Sequence, residues 1–390
     1  MAYKLAYCTN VHAGADLAQT RQNLLRHAVQ VKRQCSPNQS MGIGLWLSAQ
    51  TAHDLLQQEQ TDEFADWLRH NGLVPFTFNG FPFGDFHQEV VKHKVYHPTW
   101  AEPERLAYTL NLVALLDRLA PAGWEGSIST LPLAWRNPPA DDAWWQAVRT
   151  QLRNLANQLH RFEQETGRLV YVCIEPEPGC LLQTSGDVVQ LFQGQLLQGM
   201  SAAEEESILR HLRVCHDVCH AVVMCESQES VLQAYDKAGI RVGKVQISSA
   251  VCVPFDRIPW GDRQAAFAQL ASFAEDRYLH QTTIQQADAT PLFFDDLPAA
   301  LEFAVQSGEL SGTWRVHFHV PVYLERFGLL ETSRHDIEAC LQACRARPEI
   351  EHFEVETYAW GVLPAHLQVA DLASGIAAEM NWFRQLMSAR

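Results

Sequence analysis

Positive charge is scarce in this chain. Thirty Lys and Arg stand against forty-five Asp and Glu over 390 residues, a formal net charge of −15. Phosphate contact is dominated by Lys and Arg, so the balance argues against a nucleic-acid partner. Long apolar runs are missing too: none reaches the length of a bilayer span. The N-terminal MAYKLAYCTN turns polar too early for the apolar core of a secretory signal. The expectation is a cytoplasmic protein without a membrane span. Ten cysteines are too few for a disulfide framework at this length. Cys8, Cys173, Cys215 and Cys252 fall inside apolar runs and read as buried thiols. The spacings Cys215-x3-Cys219 and Cys340-x3-Cys344 are metal-compatible, but the second has no further cysteine pair nearby, and buried thiols are the simpler reading. No GxGxxG or GxxxxGK[ST] follows the first strand-like run, which removes the usual nucleotide-binding reading. No linker, low-complexity tract or repeat divides the chain, and 47% hydrophobic residues are enough for a large core. One domain over residues 1–390 is expected.

What is present is alternation. Short apolar or β-branched runs mark candidate strands at 5–8, 43–47, 74–78, 127–131, 169–174, 214–218, 242–248, 315–322 and 353–358. Helical periods lie between them. Trp145, Val148, Leu152, Leu155, Leu159 and Phe162 step by three and four, as do Leu106, Leu110, Val113 and Leu116. Ser201 with Glu204 predicts a capping box. Such alternation implies parallel pairing. Unusual polar residues gather where strands end: Asn10 and His12, Asn79, Ser129 and Thr130, Glu175 and Glu177, Asp217 and His220, Gln246 and Ser248. An α/β barrel of the (β/α)8 type assembles its site from those ends, so that is the predicted fold. Nine candidates compete for eight places, so one of 242–248, 315–322 or 353–358 lies outside the ring. Residues 278–295 predict a β-hairpin turning at 287–289, within an insertion of roughly 276–330. The run Phe81–His87 predicts a loop over the barrel mouth.

Four segments carry candidate chemistry. In Glu175-Pro176-Glu177-Pro178-Gly179 the prolines end a strand and leave carboxylates at the mouth, where they can bind a divalent cation or move a proton. In Asp217-Val218-Cys219-His220 a carboxylate and an imidazole face one site if the chain turns after Val218; His216 is instead a candidate for a core hydrogen bond. Oxygen ligands favour Mg²⁺ or Mn²⁺, and imidazole admits Zn²⁺. In Arg315-Val316-His317-Phe318-His319 a period of two puts both histidines and the arginine on one face. Unpartnered, they are costly to bury, and a metal or an anionic substrate would supply partners. In Glu354-Val355-Glu356, Glu356 is nearer the C-terminal end of its strand and Glu354 reads as a structural companion.

A Glu, an Asp-x-x-His and a last Glu on successive strand ends resemble the xylose-isomerase-like barrels, the superfamily of sugar isomerases, sugar epimerases and AP-endonuclease-type enzymes. That resemblance implies metal ligation by Glu175, Asp217 and Glu356. It places Gln246 where those enzymes usually carry a ligand His, so His317 or His319 would supply the imidazole. The phrases NGFPFGDFH, VKHKVYHPTW, GSISTLPLAW, EPEPGC, CHDVCHA, VQISSA, YLHQT, WRVHFHVPVY and EVETYAWGVLP, in that order, resemble the EboE type of Ebo-cluster metabolite-traffic proteins. That family implies the same barrel and gene neighbours that include a UbiA-like prenyltransferase.

The expected activity is metal-dependent isomerisation or epimerisation of a sugar, cyclitol or other polyol. Glu175 or Glu356 would move the proton. His220, Gln246, His12, Asn79, His87 and Glu177 would contact substrate or steady the ligands. Arg315 would fix an anionic group, and Trp100 or Trp360 would stack on a sugar ring. Two alternatives stand beside it: a non-catalytic barrel that binds a metabolite for handover, and a metal-dependent hydrolase of a small phosphoester.

Overall fold

The computed structural model describes residues 3–286 and 290–388. Seven strands follow in turn: β1 (Lys4–Tyr7), β2 (Met41–Trp46), β3 (Leu73–Asn79), β4 (Gly126–Thr130), β5 (Val170–Ile174), β6 (Leu212–Asp217) and β7 (Val242–Ile247). The chain then makes β8 (Val251–Pro254), β9 (Thr282–Gln285), β10 (Leu292–Phe294), β11 (Thr313–Val316), β12 (Arg326–Phe327) and β13 (Leu330–Thr332) before β14 (His352–Val355). The ring runs β1-β14-β7-β6-β5-β4-β3-β2, and every pair in it is parallel. A parallel bridge between Cys8 and Gly44 brings β1 against β2 and shuts it. Helices cover the outside, so the strands are buried on both faces and read as nearly unbroken apolar runs; all of β5 is buried.

The helices follow from period and caps. Asp142–Thr166 buries Val148, Leu152, Leu155 and Leu159, with Asp141 accepting from the Trp144 N–H at its start. Gly167, at a φ of 72°, closes it in the left-handed conformation. The Ser201–Glu204 capping box forms in both directions. Pro103–Leu119 buries Leu106, Val113 and Leu116. Among the described residues, no helix is long and apolar enough to cross a membrane.

Of the nine candidate strands, 315–322 is the one outside the ring. Its regular part, β11, pairs antiparallel with β8 and β9 in a second sheet ordered β10-β9-β11-β8-β13-β12. The predicted hairpin is β9 with β10, Ile284 opposite Leu292; its turn at 287–289 lies outside the described residues. This sheet sits at the C-terminal end of the barrel. The His317 N–H donates to the Gln281 carbonyl (2.9 Å), and the Val320 N–H to the carbonyl of Ser249, just past β7 (3.0 Å).

Candidate metal centre

Glu356 follows β14 and is held from two sides. Asn10 Nδ2, past β1, and Asn79 Nδ2, at the end of β3, both donate to its Oε1, at 2.8 and 3.0 Å. Its Oε2 is left to the cavity. Asp217 ends β6 and caps the helix Val218–Val223: its Oδ1 accepts from the His220 backbone N–H (2.9 Å) and from Ser248 Oγ (2.7 Å). Its Oδ2 is buried without a hydrogen-bond partner, as is Glu175 Oε2 beyond β5. Carboxyl oxygens of Glu175, Asp217 and Glu356 lie within 4.8 Å of one another.

The imidazole comes from the segment that follows β11 of the second sheet. His319 donates its Nδ1–H to the Glu356 carbonyl (2.9 Å); that oxygen can only accept, so Nδ1 carries the proton and Nε2 presents a lone pair. Nε2 is buried without a partner, and His319 ligand atoms group with those of Asp217 and His220. Burial, followed by nearby His220, pushes the His319 pKa down to about 4 despite the attraction of Asp217. The ring is therefore a neutral ligand at neutral pH. Burial, then Glu356 and Asp217, hold the Glu175 carboxyl well above its ordinary range. Burial and Asp217 do the same to Glu356. Burial also pushes Asp217 up, but His220, His319 and the donors on Oδ1 outweigh it, and its pKa ends below the usual value.

Three buried carboxyl groups drawn together, with an imidazole lone pair beside one of them, are what a divalent cation requires. The residues present therefore fit the metal: Glu175, Asp217, His319 and Glu356 would hold it. Gln246 does not compete. It is fully buried, and its Oε1 accepts from the Cys215 thiol at 3.2 Å.

Above this floor is a cavity whose roof is apolar, with Phe81, Pro82, Phe86, Val91 and Val95 among its lining. Phe86, Tyr278 and Tyr358 form its lip, with ring centroids 5.0 to 5.6 Å apart. Phe86 belongs to the loop after β3, which does cross the mouth, and Tyr278 OH donates to its carbonyl (3.2 Å). Glu177 lines the cavity; burial raises its pKa to about 7, countered by His220 and the Tyr96 hydroxyl.

Several predicted contacts are not made. Arg315 does not join the histidines: regular pairing ends at Val316, and its Nη1 donates to Gln285 Oε1 (2.8 Å) and reaches Cys225 Sγ. Trp100 is buried with its indole on Thr130 Oγ1 (3.1 Å), and the Trp360 indole donates to Glu379 Oε2 (3.1 Å); neither lines the cavity. His12 stacks on His27 and meets the Tyr7 hydroxyl at 3.1 Å, away from the carboxylates. His87 Nε2 donates to the Asn10 carbonyl (2.6 Å), steadying a residue that holds Glu356. His220 reaches Asp217 through its backbone, because its imidazole Nδ1 is on the Pro176 carbonyl (2.8 Å). His216 bonds Gln228 in the core (2.7 Å). The aromatic lip went unforeseen; Tyr278 and Tyr358 lie far apart in sequence, and only the docked second sheet makes them neighbours.

No protein-family model matches the chain, and no curated protein is significantly similar to it. Solved structures are similar in fold. A xylose isomerase-like TIM barrel protein from Mycobacterium smegmatis, in complex with magnesium, superposes over 99% of this chain and 97% of its own with a TM-score of 0.51 at 11% identity. The fold is that of a TIM barrel. A D-tagatose 3-epimerase-like protein matches this barrel at TM-score 0.51 and 7% identity, over 99% of this chain and 97% of its own. A xylose isomerase domain protein from Planctomyces limnophilus matches at 0.50 and 10%, over 100% and 98%.

Proposed function

We propose that the protein is a divalent-metal-dependent isomerase or epimerase of a sugar, cyclitol or related polyol. The observation that carries this reading is the grouping of Glu175, Asp217 and Glu356, whose carboxyl oxygens lie within 4.8 Å of one another while Glu175 Oε2 and Asp217 Oδ2 are buried without a partner, with His319 beside Asp217. The bound ion, Mn²⁺, Mg²⁺ or Zn²⁺, would polarise a carbonyl and its neighbouring hydroxyl. Glu356, fixed by Asn10 and Asn79, holds its place as a ligand. Glu175, buried beside Asp217 and Glu356 with its Oε2 free of hydrogen-bond partners, is placed to take and return the carbon-bound proton. The apolar roof excludes water while the proton is held.

The resemblance of the NGFPFGDFH, EPEPGC and EVETYAWGVLP phrases to the EboE type supports a role for this chemistry in cytoplasmic processing of a precursor, with a UbiA-like prenyltransferase as a candidate partner. The apolar roof also suits a second reading, in which the cavity retains a metabolite for handover without turnover. The histidine cluster suits a third, hydrolysis of a small phosphoester.

The test is metal content by plasma mass spectrometry, followed by solvent-deuterium exchange into candidate polyols with Mn²⁺ present. Near-stoichiometric metal, lost in Glu175→Gln and Glu356→Gln, together with exchange, is expected. Polyol binding without exchange selects handover, and phosphate release selects the hydrolase. A wild type that takes up no added metal overturns the metal-dependent mechanism.

A further inference from the structure

The cavity above the carboxylates has two unlike walls. Its floor is polar, with Asn10, Asn79, Glu175, His319 and Glu356. Its roof is Phe81, Pro82, Phe86, Val91, Val95 and Leu279, and the polar groups around those side chains are already engaged within the protein. The Phe81 N–H donates to Asn79 Oδ1 (3.0 Å), and its carbonyl accepts from Arg105 Nη1 (3.0 Å). The Pro82 carbonyl accepts twice, from the Trp46 indole (3.0 Å) and the Tyr108 hydroxyl (3.2 Å). Both the Val91 and the Lys92 N–H donate to the Arg277 carbonyl, at 2.8 and 3.0 Å. Tyr96, Tyr278 and Lys92 line the cavity as well, with their polar ends committed. Tyr96 OH donates to Glu177 Oε1 (3.0 Å), Tyr278 OH to the Phe86 carbonyl (3.2 Å) and Lys92 Nζ to Asp296 Oδ2 (2.6 Å).

A free sugar or cyclitol carries hydroxyls around its whole rim. With one edge on the floor, its far hydroxyls would face this roof, give up water and find no partner in exchange. A hydrocarbon in the same place gives up nothing polar, and it takes apolar surface of the roof out of water with its own. The wall also continues beyond the cavity. Pro82, Phe86, Val91 and Val95 line a second hollow together with Phe83 and Lys94, and Val95 is half-buried. A chain too long for the cavity therefore has an apolar path toward the surface.

We propose that the substrate is a head-and-tail molecule, with a hydroxylated head on the carboxylate floor and a hydrocarbon tail along Phe81, Pro82, Phe86, Val91 and Val95. The site then selects by the tail and not by the pattern of distal hydroxyls. For the head alone, the proposal rests on the metal-dependent reading above.

The test titrates 1,2-alkanediols of four, six and eight carbons into the Mn²⁺-treated full chain by calorimetry, with glycerol as the all-polar control. Each added methylene should tighten binding about fourfold, the ratio that burial of one methylene provides, and glycerol should bind weakest. Val91→Thr and Val95→Thr nearly keep the shape of the wall and add a hydroxyl to it. They should flatten the series while their metal content, counted by plasma mass spectrometry, stays that of wild type. Affinity that ignores chain length, or an eight-carbon diol that does not bind, overturns the proposal. So does a chain-length series unchanged in both variants, because the tail then lies elsewhere. The two proposals fail separately. Metal uptake without chain-length dependence strikes the tail and leaves the metal; chain-length dependence lost in the variants, in a chain that takes up no metal, strikes the metal and leaves the tail.

Discussion

Lys244 and Glu354 sit inside the barrel, two residues back along β7 and β14 from Gln246 and Glu356. Their Nζ–Oε2 distance is 2.6 Å and neither side chain is exposed. Burial alone would push the Lys244 pKa down, but Glu354 beside it outweighs that and raises it. A side chain at Gly44 would overlap Glu354 Oε1, so β2 must carry glycine there. Removing one partner strands the other charge in the core. Lys244→Met is expected to cost about 3–5 kcal/mol, and Lys244→Met combined with Glu354→Leu to recover most of it. Urea unfolding of the two singles and the double measures the coupling; additive losses would refute it. At this scale the sequence is only partly legible. Glu175, Asp217 and Glu356 could be named because strand ends in a barrel face one mouth. The partner of a buried lysine could not, since β7 and β14 are adjacent only once the insertion has been passed. Arg315 misled because alternation holds only while a strand lasts, and β11 stops at Val316.

The C-terminal helix Leu372–Ser388 does more than cover the barrel. Its Glu379 is buried and accepts from the Val322 N–H (3.1 Å), Thr357 Oγ1 (2.6 Å) and the Trp360 indole (3.1 Å). Thr357 follows Glu356 and Val322 lies three residues past His319, so one carboxyl ties together the segments that carry two proposed ligands. Burial pushes Glu379 up from 4.5 to about 7, against the pull of those donors. Between these values the native state keeps a proton that the unfolded chain has already released. Stability from this group is therefore full at acid pH and is lost as the pH rises through the window, by up to about 3 kcal/mol. Glu379→Gln cannot ionise. The stability difference between wild type and Glu379→Gln, followed from about pH 4.5 to about pH 8, should shift by that amount against wild type; a flat difference would rule the account out. The helices of the barrel were readable from apolar period and caps. The role of Glu379 was not, because three donors from two distant loops give no local signal.

At the scale of the molecule, the proposed site is a joint between two sheets. Glu175, Asp217 and Glu356 stand at the ends of barrel strands, and His319 stands just past β11 of the second sheet. An ion held by all four ties the parts together, and saturation at about a hundredfold over its dissociation constant adds about 2.7 kcal/mol. Mn²⁺ should raise the melting temperature of wild type and slow proteolysis around Phe255–Asp262, and Glu356→Gln should show neither effect. Equal protection of both chains would mean the ion binds elsewhere. The ring itself was legible from strand–helix alternation, whereas the strand order of the second sheet rests on non-local antiparallel pairing that the sequence does not mark.

Gln246 and His319 carry a lesson for anyone looking for kin of this chain. A pattern that demands histidine on the seventh strand would pass over it, although a histidine stands at the same cavity. A pattern that asks for His-x-His just after an inserted antiparallel strand, with glutamine left behind on the barrel, would gather chains in which the proposed ligand stands at a new address.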